Sequence, residues 1–298
     1  MYTNPYQDLF GGKWFKTNFH THAGTGVGTC GSNPIDKVVE LYAKNQFDML
    51  CISNHDIFSD TTAFTSDSIM MIPGVEYSQN EHMLIIGVDK SLHEYDHQTA
   101  IDMTREMGGF VILCHPNWVH KEWWSWNKLL ELNGFVGIEI INMLIYRLNG
   151  SGLATDTWDH LLSRGKLIYG FGNDDFHMYS DAARSFNLIY CKEKSFSAMK
   201  DATESGAFCV STGLRPEYLF LKDNIIKVKA KFLTETYIDT FSYHFITENG
   251  KVISVQNGSN AEYKLSGEKY VRVEVIGENG AMLFFQPVYL TEAFVNKQ

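Results

Sequence analysis

Nowhere in this chain do two cysteines stand in a CxxC pair, although it contains five: Cys30, Cys51, Cys114, Cys191 and Cys209. An odd count without that spacing, mostly within apolar runs, argues against a disulfide framework and against a closed structural zinc site. The thiols read as free and buried, in a reducing compartment. Apolar runs long enough to span a bilayer are missing, and the opening MYTNPYQDLFGGKW lacks the pattern of a signal peptide. A cytoplasmic protein off the membrane is expected, with removal of a leader from a longer precursor left open. Positive charge is also in short supply. Lys and Arg number 25 against 35 Asp and Glu, for a formal charge of −10. That balance argues against a surface that coats nucleic acid or is drawn to anionic lipid, though not against a local site for an anion. Internal repeats and low-complexity segments are likewise missing.

What is present suits a large globular core: 298 residues, 44% hydrophobic and 14% aromatic, enough for one barrel-sized domain and a small appendage. Short apolar runs recur through residues 15 to 215, at 49–53, 69–75, 83–88, 110–114, 136–141, 167–172 and 186–191. Continuous runs of this length suit strands buried on both faces, the habit of parallel sheets. Helical stretches lie between them. Asn33 before Pro34 predicts a helix start with Ile35, Val38, Val39 and Tyr42 on one face. TDTWDHLLSRG carries Trp158, Leu161 and Leu162 as a stripe ending at Gly165, and SFSAMKDATESG repeats the scheme up to Gly206. Repeated strand–helix units predict an α/β barrel or a doubly wound sheet.

After STGLRP the pattern changes to period two. IIKVKAKF alternates Ile226, Val228 and Ala230 with lysines, and VRVEVI alternates valines with Arg272 and Glu274. These read as antiparallel strands with one wet face, separated by hairpin turns at ENGK, QNGSN and GENGA. The expected organisation is residues 1–215 as one domain and 216–298 as a small antiparallel β domain.

Polar residues collect at strand ends. His20 and His22 follow FKTNF, and an i, i+2 pair on an extended segment points to one side, where both can grip one ion. Asn54, His55 and Asp56 follow MLCIS, Glu76 follows IMMIPGV, and His115 follows FVILC. Asp174, Asp175 and His177 follow LIYGFG, while His82 precedes its strand. Singly, each has an ordinary explanation: a loop hydrogen bond for His55 and Asp56, a turn for His115, a helix cap for Glu76. Jointly they would meet on one rim of a parallel α/β barrel. Imidazole with carboxylate suits zinc, manganese or iron, and the set exceeds one tetrahedral sphere. Glu76 is the carboxylate expected to bridge two ions. A two-ion centre implies hydrolysis through a metal-activated water, with phosphate esters the natural substrates. Arg184 is placed for a bidentate phosphoryl contact, or equally for a salt bridge.

HTH (20–22), SNHD (53–56), PGVEYS (73–78), CHP (114–116) and GNDDFH (172–177), in this order, resemble the PHP superfamily, named for polymerase and histidinol phosphatase. The resemblance spans about residues 15 to 213. It implies a distorted seven-stranded (β/α) barrel holding two or three divalent transition-metal ions and hydrolysing phosphoesters. By analogy His20, His22, Glu76 and Asp175 would hold one ion, Glu76, His82 and His115 a second, and His55 and His177 a third. Glu76, Asp175 and His177 are the expected catalytic residues, and Asp56 and Arg184 the expected substrate contacts. Many members carry a ligand to the third ion just after HxH. Here AGTGVGTCG (23–31) offers only Thr25, Thr29 or Cys30, and Asn54 stands where an aspartate is usual. ATESGAFCVSTG with the β-rich tail is similar to a hydrolase branch that includes carbamate-ester hydrolases.

The leading expectation is a phosphoesterase acting on a small anionic molecule or nucleotide. A carboxylic or carbamic ester hydrolase with the same centre is the alternative, and a catalytically silent scaffold binding carbohydrate or a partner is the third. HKEWWSW (120–126) is expected to expose aromatics in a loop. The purified protein is expected to carry at least two transition-metal ions per chain; elemental analysis finding one or none after gentle purification counts against this.

Overall fold

The alternation of apolar runs and capped amphipathic stretches is realised as an α/β fold. The computed structural model describes the chain except residues 8, 27, 121–123, 235, 237, 238 and 295–298, and the side chain of residue 279. In order come β1 (Tyr2–Thr3), β2 (Lys13–Asn18), α1 (Ile35–Lys44), β3 (Met49–Cys51), β4 (Met70–Ile72), β5 (Gly74–Tyr77), β6 (Met83–Ile86) and α2 (His97–Glu106). Next are β7 (Phe110–Leu113), α3 (Trp126–Glu131), β8 (Gly137–Asn142), α4 (Thr155–Ser163), β9 (Tyr169–Asn173), β10 (Phe186–Cys191), α5 (Phe196–Ser205) and β11 (Phe208–Ser211). The remainder is β-rich: β12 (Leu214–Lys222), β13 (Ile225–Phe232), β14 (Phe241–Thr247), β15 (Lys251–Gly258), β16 (Ala261–Lys264), β17 (Tyr270–Ile276), β18 (Met282–Phe285) and β19 (Val288–Leu290). Among the described residues, no helix is long and apolar enough to cross a membrane.

Helix ends follow local chemistry. Ser195 caps α5 by accepting from the Ala198 N–H, and Gly206 ends it in the left-handed conformation at φ 77°. Asp96 caps α2 through the Thr99 N–H. The α1 start is shifted by one residue from the expected one: Pro34 itself, at ψ 146°, is the flanking residue.

Strand direction departs from the all-parallel expectation. β2, β3 and β4 are parallel, as are β7, β8 and β9, but β6 runs antiparallel to both β5 and β7, and β10 runs against β2. The run 69–75 is two strands rather than one. Pro73, which has no N–H to donate, separates β4 from β5, and the two join different sheets. Among the described residues no sheet closes on itself. β9 ends its sheet and is buried along its length, and a pair of side-chain amides there stands in for a neighbouring strand: Asn187 pairs with the Gly172 N–H and C=O at 3.0 and 2.8 Å, and Gln286 with those of Gly170 at 2.9 and 2.8 Å. Close approach there requires glycine, since a Cβ on Gly172 would stand 2.3 Å from Val210 Cγ1. Two isolated parallel bridges, Thr21 with Phe176 and His55 with Glu76, tie the strand ends together at one rim.

The eleven-stranded sheet continues from β10 and β11 into β18 and β17, and β1 pairs with β19. ENGK and GENGA form the expected hairpin turns between β14 and β15 and between β17 and β18. QNGSN instead leads out of this sheet, because β16 pairs with β13. A second departure concerns Arg272, expected on a wet face. It is buried under α4, its guanidinium bound by Asp159 at 2.8 and 2.6 Å, while Tyr270 donates to the same carboxylate at 2.8 Å. The period-two pattern fixes which face Arg272 is on; packing by α4 decides that the face is dry.

Breaking this buried pair leaves the Arg272 guanidinium with Glu274 as its remaining carboxylate and strips it of both Asp159 bonds. Asp159→Ala is expected to lower unfolding stability by about 3–5 kcal/mol, whereas the double change Asp159→Leu with Arg272→Met costs much less. Chemical denaturation of both variants checks this, and equal losses would deny the pair its role.

Candidate metal centre

Strand polarity assembles the site. His20 and His22 leave the end of β2, His55 that of β3, His115 that of β7, and Asp175 and His177 that of β9, while Glu76 lies within β5. β6 runs the other way, so His82, just before its start, reaches the same rim. Two of these residues sit in strained left-handed backbone, His115 at φ 29° and Asp175 at φ 51°. Such strain is held in place by surrounding structure and concentrates at functional sites.

Glu76 is fully buried at the centre. Its Oε2 lies 3.2 Å from His20 Nε2, 3.2 Å from His22 Nε2 and 2.8 Å from His55 Nδ1, and its Oε1 lies 2.9 Å from His82 Nδ1 and 3.4 Å from His115 Nε2. Asp175 Oδ1 stands 3.2 Å from both His20 Nε2 and His22 Nε2. The two oxygens of one carboxylate therefore face two different groups of imidazoles. His55 faces the first group through Glu76 Oε2, and it also groups with His22, Cys30 and His177.

These contacts fit metal ions. His20 Nε2, His22 Nε2, His55 Nδ1, Glu76 Oε2 and Asp175 Oδ1 are buried, converge on one another, and have no hydrogen-bond partner. A native interior leaves such atoms unsatisfied only for a reason. Ligands about 2.0–2.1 Å from one ion at tetrahedral angles lie about 3.3 Å apart, and the four pairs joining His20 and His22 to Glu76 and Asp175 are each at 3.2 Å.

Outer contacts orient the ligands. Glu139 Oε1 lies 2.8 Å from His20 Nδ1 and also accepts from Asn173, and its Oε2 accepts from the His115 N–H and from Asn142. A carboxylate on Nδ1 fixes the tautomer that presents the Nε2 lone pair to an ion. The His177 Nδ1–H donates to the Asp175 carbonyl at 2.9 Å, which frees its Nε2. Cys30 Sγ lies 3.2 Å from His22 Nδ1 and 3.6 Å from His177 Nε2.

The charge balance favours a cation. Burial opposes charge on His20 and His22, yet the Asp175 and Glu76 carboxylates around both hold the imidazolium form well above the ordinary range. Burial likewise pushes Glu76 up, and His55, His20 and His82 overcome it to hold Glu76 well below the usual carboxylate range. Asp175 is shifted down in the same way by His20 and His22. Burial raises the Cys30 thiol, but the His177, His22 and His55 imidazoles around it bring it down to about 4. Protons and metal ions compete for these lone pairs.

A cleft of about 440 Å³ opens over the cluster, walled by Trp118, Leu144, Ile145, Leu148 and Arg147. Its aromatic wall is Trp118, edge-on to His115 and His82.

All eight expected ligands lie in this cluster or at its edge, whereas the two expected substrate contacts lie elsewhere. Asp56 is occupied by the Ser78 N–H at 2.9 Å, the Ser78 hydroxyl at 2.7 Å and Gln79 at 2.7 Å, so it clasps the loop after β5. Arg184 is exposed and outside the cleft lining, because the Asp174 carboxylate gathers the N–H groups of Ala183, Arg184 and Ser185 and turns that loop outward. The guanidinium at the cleft is Arg147, held by Asp181 at 3.1 and 3.0 Å. Trp124 of HKEWWSW is buried, donating to the His82 carbonyl at 3.1 Å, and Trp126 is exposed; residues 121–123 lie outside the described residues. Sequence reasoning missed Glu139, whose signal was a lone charge inside VGIEII.

No protein-family model matches this chain, and no curated protein matches it in sequence. Its fold is shared with the crystal structure of a two-domain protein from Bacteroides vulgatus containing a predicted PHP-like metal-dependent phosphoesterase. The two are 16% identical with a TM-score of 0.54, over 91% of this chain and 93% of that one. At that identity the likeness speaks for the fold.

Glu76→Gln keeps shape but removes the central charge. It is expected to cost at least one bound ion per chain, read by elemental analysis of folded protein; full metal content in the variant would remove Glu76 from the centre.

Proposed function

We propose that this chain is a metal-dependent hydrolase, acting most readily on phosphate esters of small anionic molecules or nucleotides. The observation that carries the reading is the convergence of five buried, unpartnered ligand atoms around Glu76 and Asp175. In this reading His20, His22, Glu76 and Asp175 hold one ion, and Glu76 with His82 and His115 a second. Zinc, manganese and iron all suit such donors. Bound ions supply Lewis acidity toward a water and toward the ester oxygens. The chain's residues do the rest. Glu139 holds the Nδ1 proton of His20, Trp118 shields one side of the cleft from water, and the Asp175 carbonyl holds the Nδ1 proton of His177 so that its Nε2 stays free at the cleft edge. We also read the strands around the site as an open, distorted (β/α)7 barrel within residues 1–215, carrying 216–298 as a β appendage, and the location as cytoplasmic.

A second reading, hydrolysis of a carboxylic or carbamic ester at the same centre, draws support from the cleft itself. Its guanidinium, Arg147, is already bound by Asp181, and its walls are largely apolar.

The test is an activity panel of phosphomonoesters, phosphodiesters and carboxylate esters with added manganese, zinc or iron. Phosphate-ester hydrolysis that chelators abolish, and that Glu76→Gln lowers by at least ~100-fold, is expected. Turnover confined to carboxylate or carbamate esters would favour the second reading.

A further inference from the structure

Cys30 sits at the outer edge of the centre in a loop that the fold pins in place. The Gly24 N–H donates to the Asn33 carbonyl at 2.7 Å, the Thr29 hydroxyl lies 2.9 Å from the Gly24 carbonyl and 2.8 Å from that of Gly26, and the Ser32 hydroxyl donates to the His177 carbonyl at 2.6 Å. A Cβ on Gly31 would stand 2.5 Å from the Ala23 backbone, so the loop closes tightly on itself. These ties bring the sulfur, rather than Thr25 or Thr29, to the imidazoles. One ligand atom from each of His22, Cys30, His55 and His177 falls within 4.8 Å of the other three.

The nitrogen roles decide how such a group can act. His177 Nδ1 is committed to a carbonyl, so its Nε2, 3.6 Å from the sulfur, carries a lone pair toward it. His22 Nε2 faces Glu76 and Asp175, and its Nδ1–H is left to donate to the sulfur at 3.2 Å. A thiol there donates its S–H to that lone pair; once the proton leaves, sulfur and nitrogen both present lone pairs to the space between them, as two ligands of one cation do.

We propose that Cys30 is a thiolate ligand to a divalent ion that His177 and His55 also hold, at the solvent-facing edge of the centre. Binding releases the thiol proton to solvent. A sulfur donor biases this position toward zinc over manganese, while the oxygen- and nitrogen-rich inner positions are less selective. The inference rests on the metal-centre reading above and goes beyond it in naming a ligand and its preference.

Cobalt(II) tests it, because sulfur ligation gives a near-ultraviolet charge-transfer absorption that nitrogen and oxygen ligands do not. Apo-protein titrated with cobalt is expected to develop this band, to lose it in Cys30→Ser, and to keep it in Cys114→Ser, the control for the thiol grouped with His20 and His115. Cys30 is also the exposed thiol of the five, so labelling by a disulfide reagent should slow when zinc is added to the native protein. Removing it should weaken the edge ion by at least ~10–100-fold, the loss attached even to a supporting partner. Cobalt uptake without the band, or a band that survives Cys30→Ser, overturns the thiolate ligand and leaves the sulfur as a hydrogen-bond acceptor of His22. Failure to take up any cobalt overturns the metal-centre reading itself.

Discussion

The structure is organised around one buried carboxylate. Glu76 has no exposure, and its Oε2 has no hydrogen-bond donor. A carboxylate so placed costs several kcal/mol unless charge compensates it. Compensation requires five imidazoles, His20, His22, His55, His82 and His115, drawn from four separate segments of chain. The reversed direction of β6, the left-handed backbone at His115 and the parallel bridge between His55 and Glu76 all serve that convergence. Positive φ at a non-glycine residue costs roughly 1–3 kcal/mol, which is small beside an uncompensated carboxylate.

Neighbouring residues of one type divide the work. Asp174 and Asp175 are adjacent, yet Asp174 accepts three backbone N–H groups and the Tyr42 hydroxyl, and burial pushes it up to about 6. Asp175 turns the other way, into the imidazoles. His20 and His22 present Nε2 to the same point, but the first is backed by Glu139 and the second by Cys30. What sits behind each ring distinguishes the inner part of the centre from its edge.

Much of the centre was legible because strand ends carry it. HTH has period two on an extended segment, and each further ligand adjoins an apolar run. Direction was not legible: MLII is buried on both faces whether its strand runs parallel or antiparallel, so the reversal that explains His82 leaves no mark in composition. Pro73 did leave one, splitting a run that reads as continuous. Glu139 was hidden by its surroundings, and Arg272 by α4, an element far from it in sequence. Asp56 and Arg184 lie beside candidate site residues in the chain, but Ser78 and Gln79 hold the first and the loop gathered by Asp174 carries the second outward.

The amides along β9 show how two sheets can meet without sharing a ladder. β9 is buried along its whole length, so the backbone groups on its outer side cannot turn to water and must be paired within the protein. Asn187, from β10, and Gln286, just after β18, each supply the donor and the acceptor that Gly172 and Gly170 require. The seam between the five-stranded and the eleven-stranded sheets is thereby sealed by side chains where strand pairing stops.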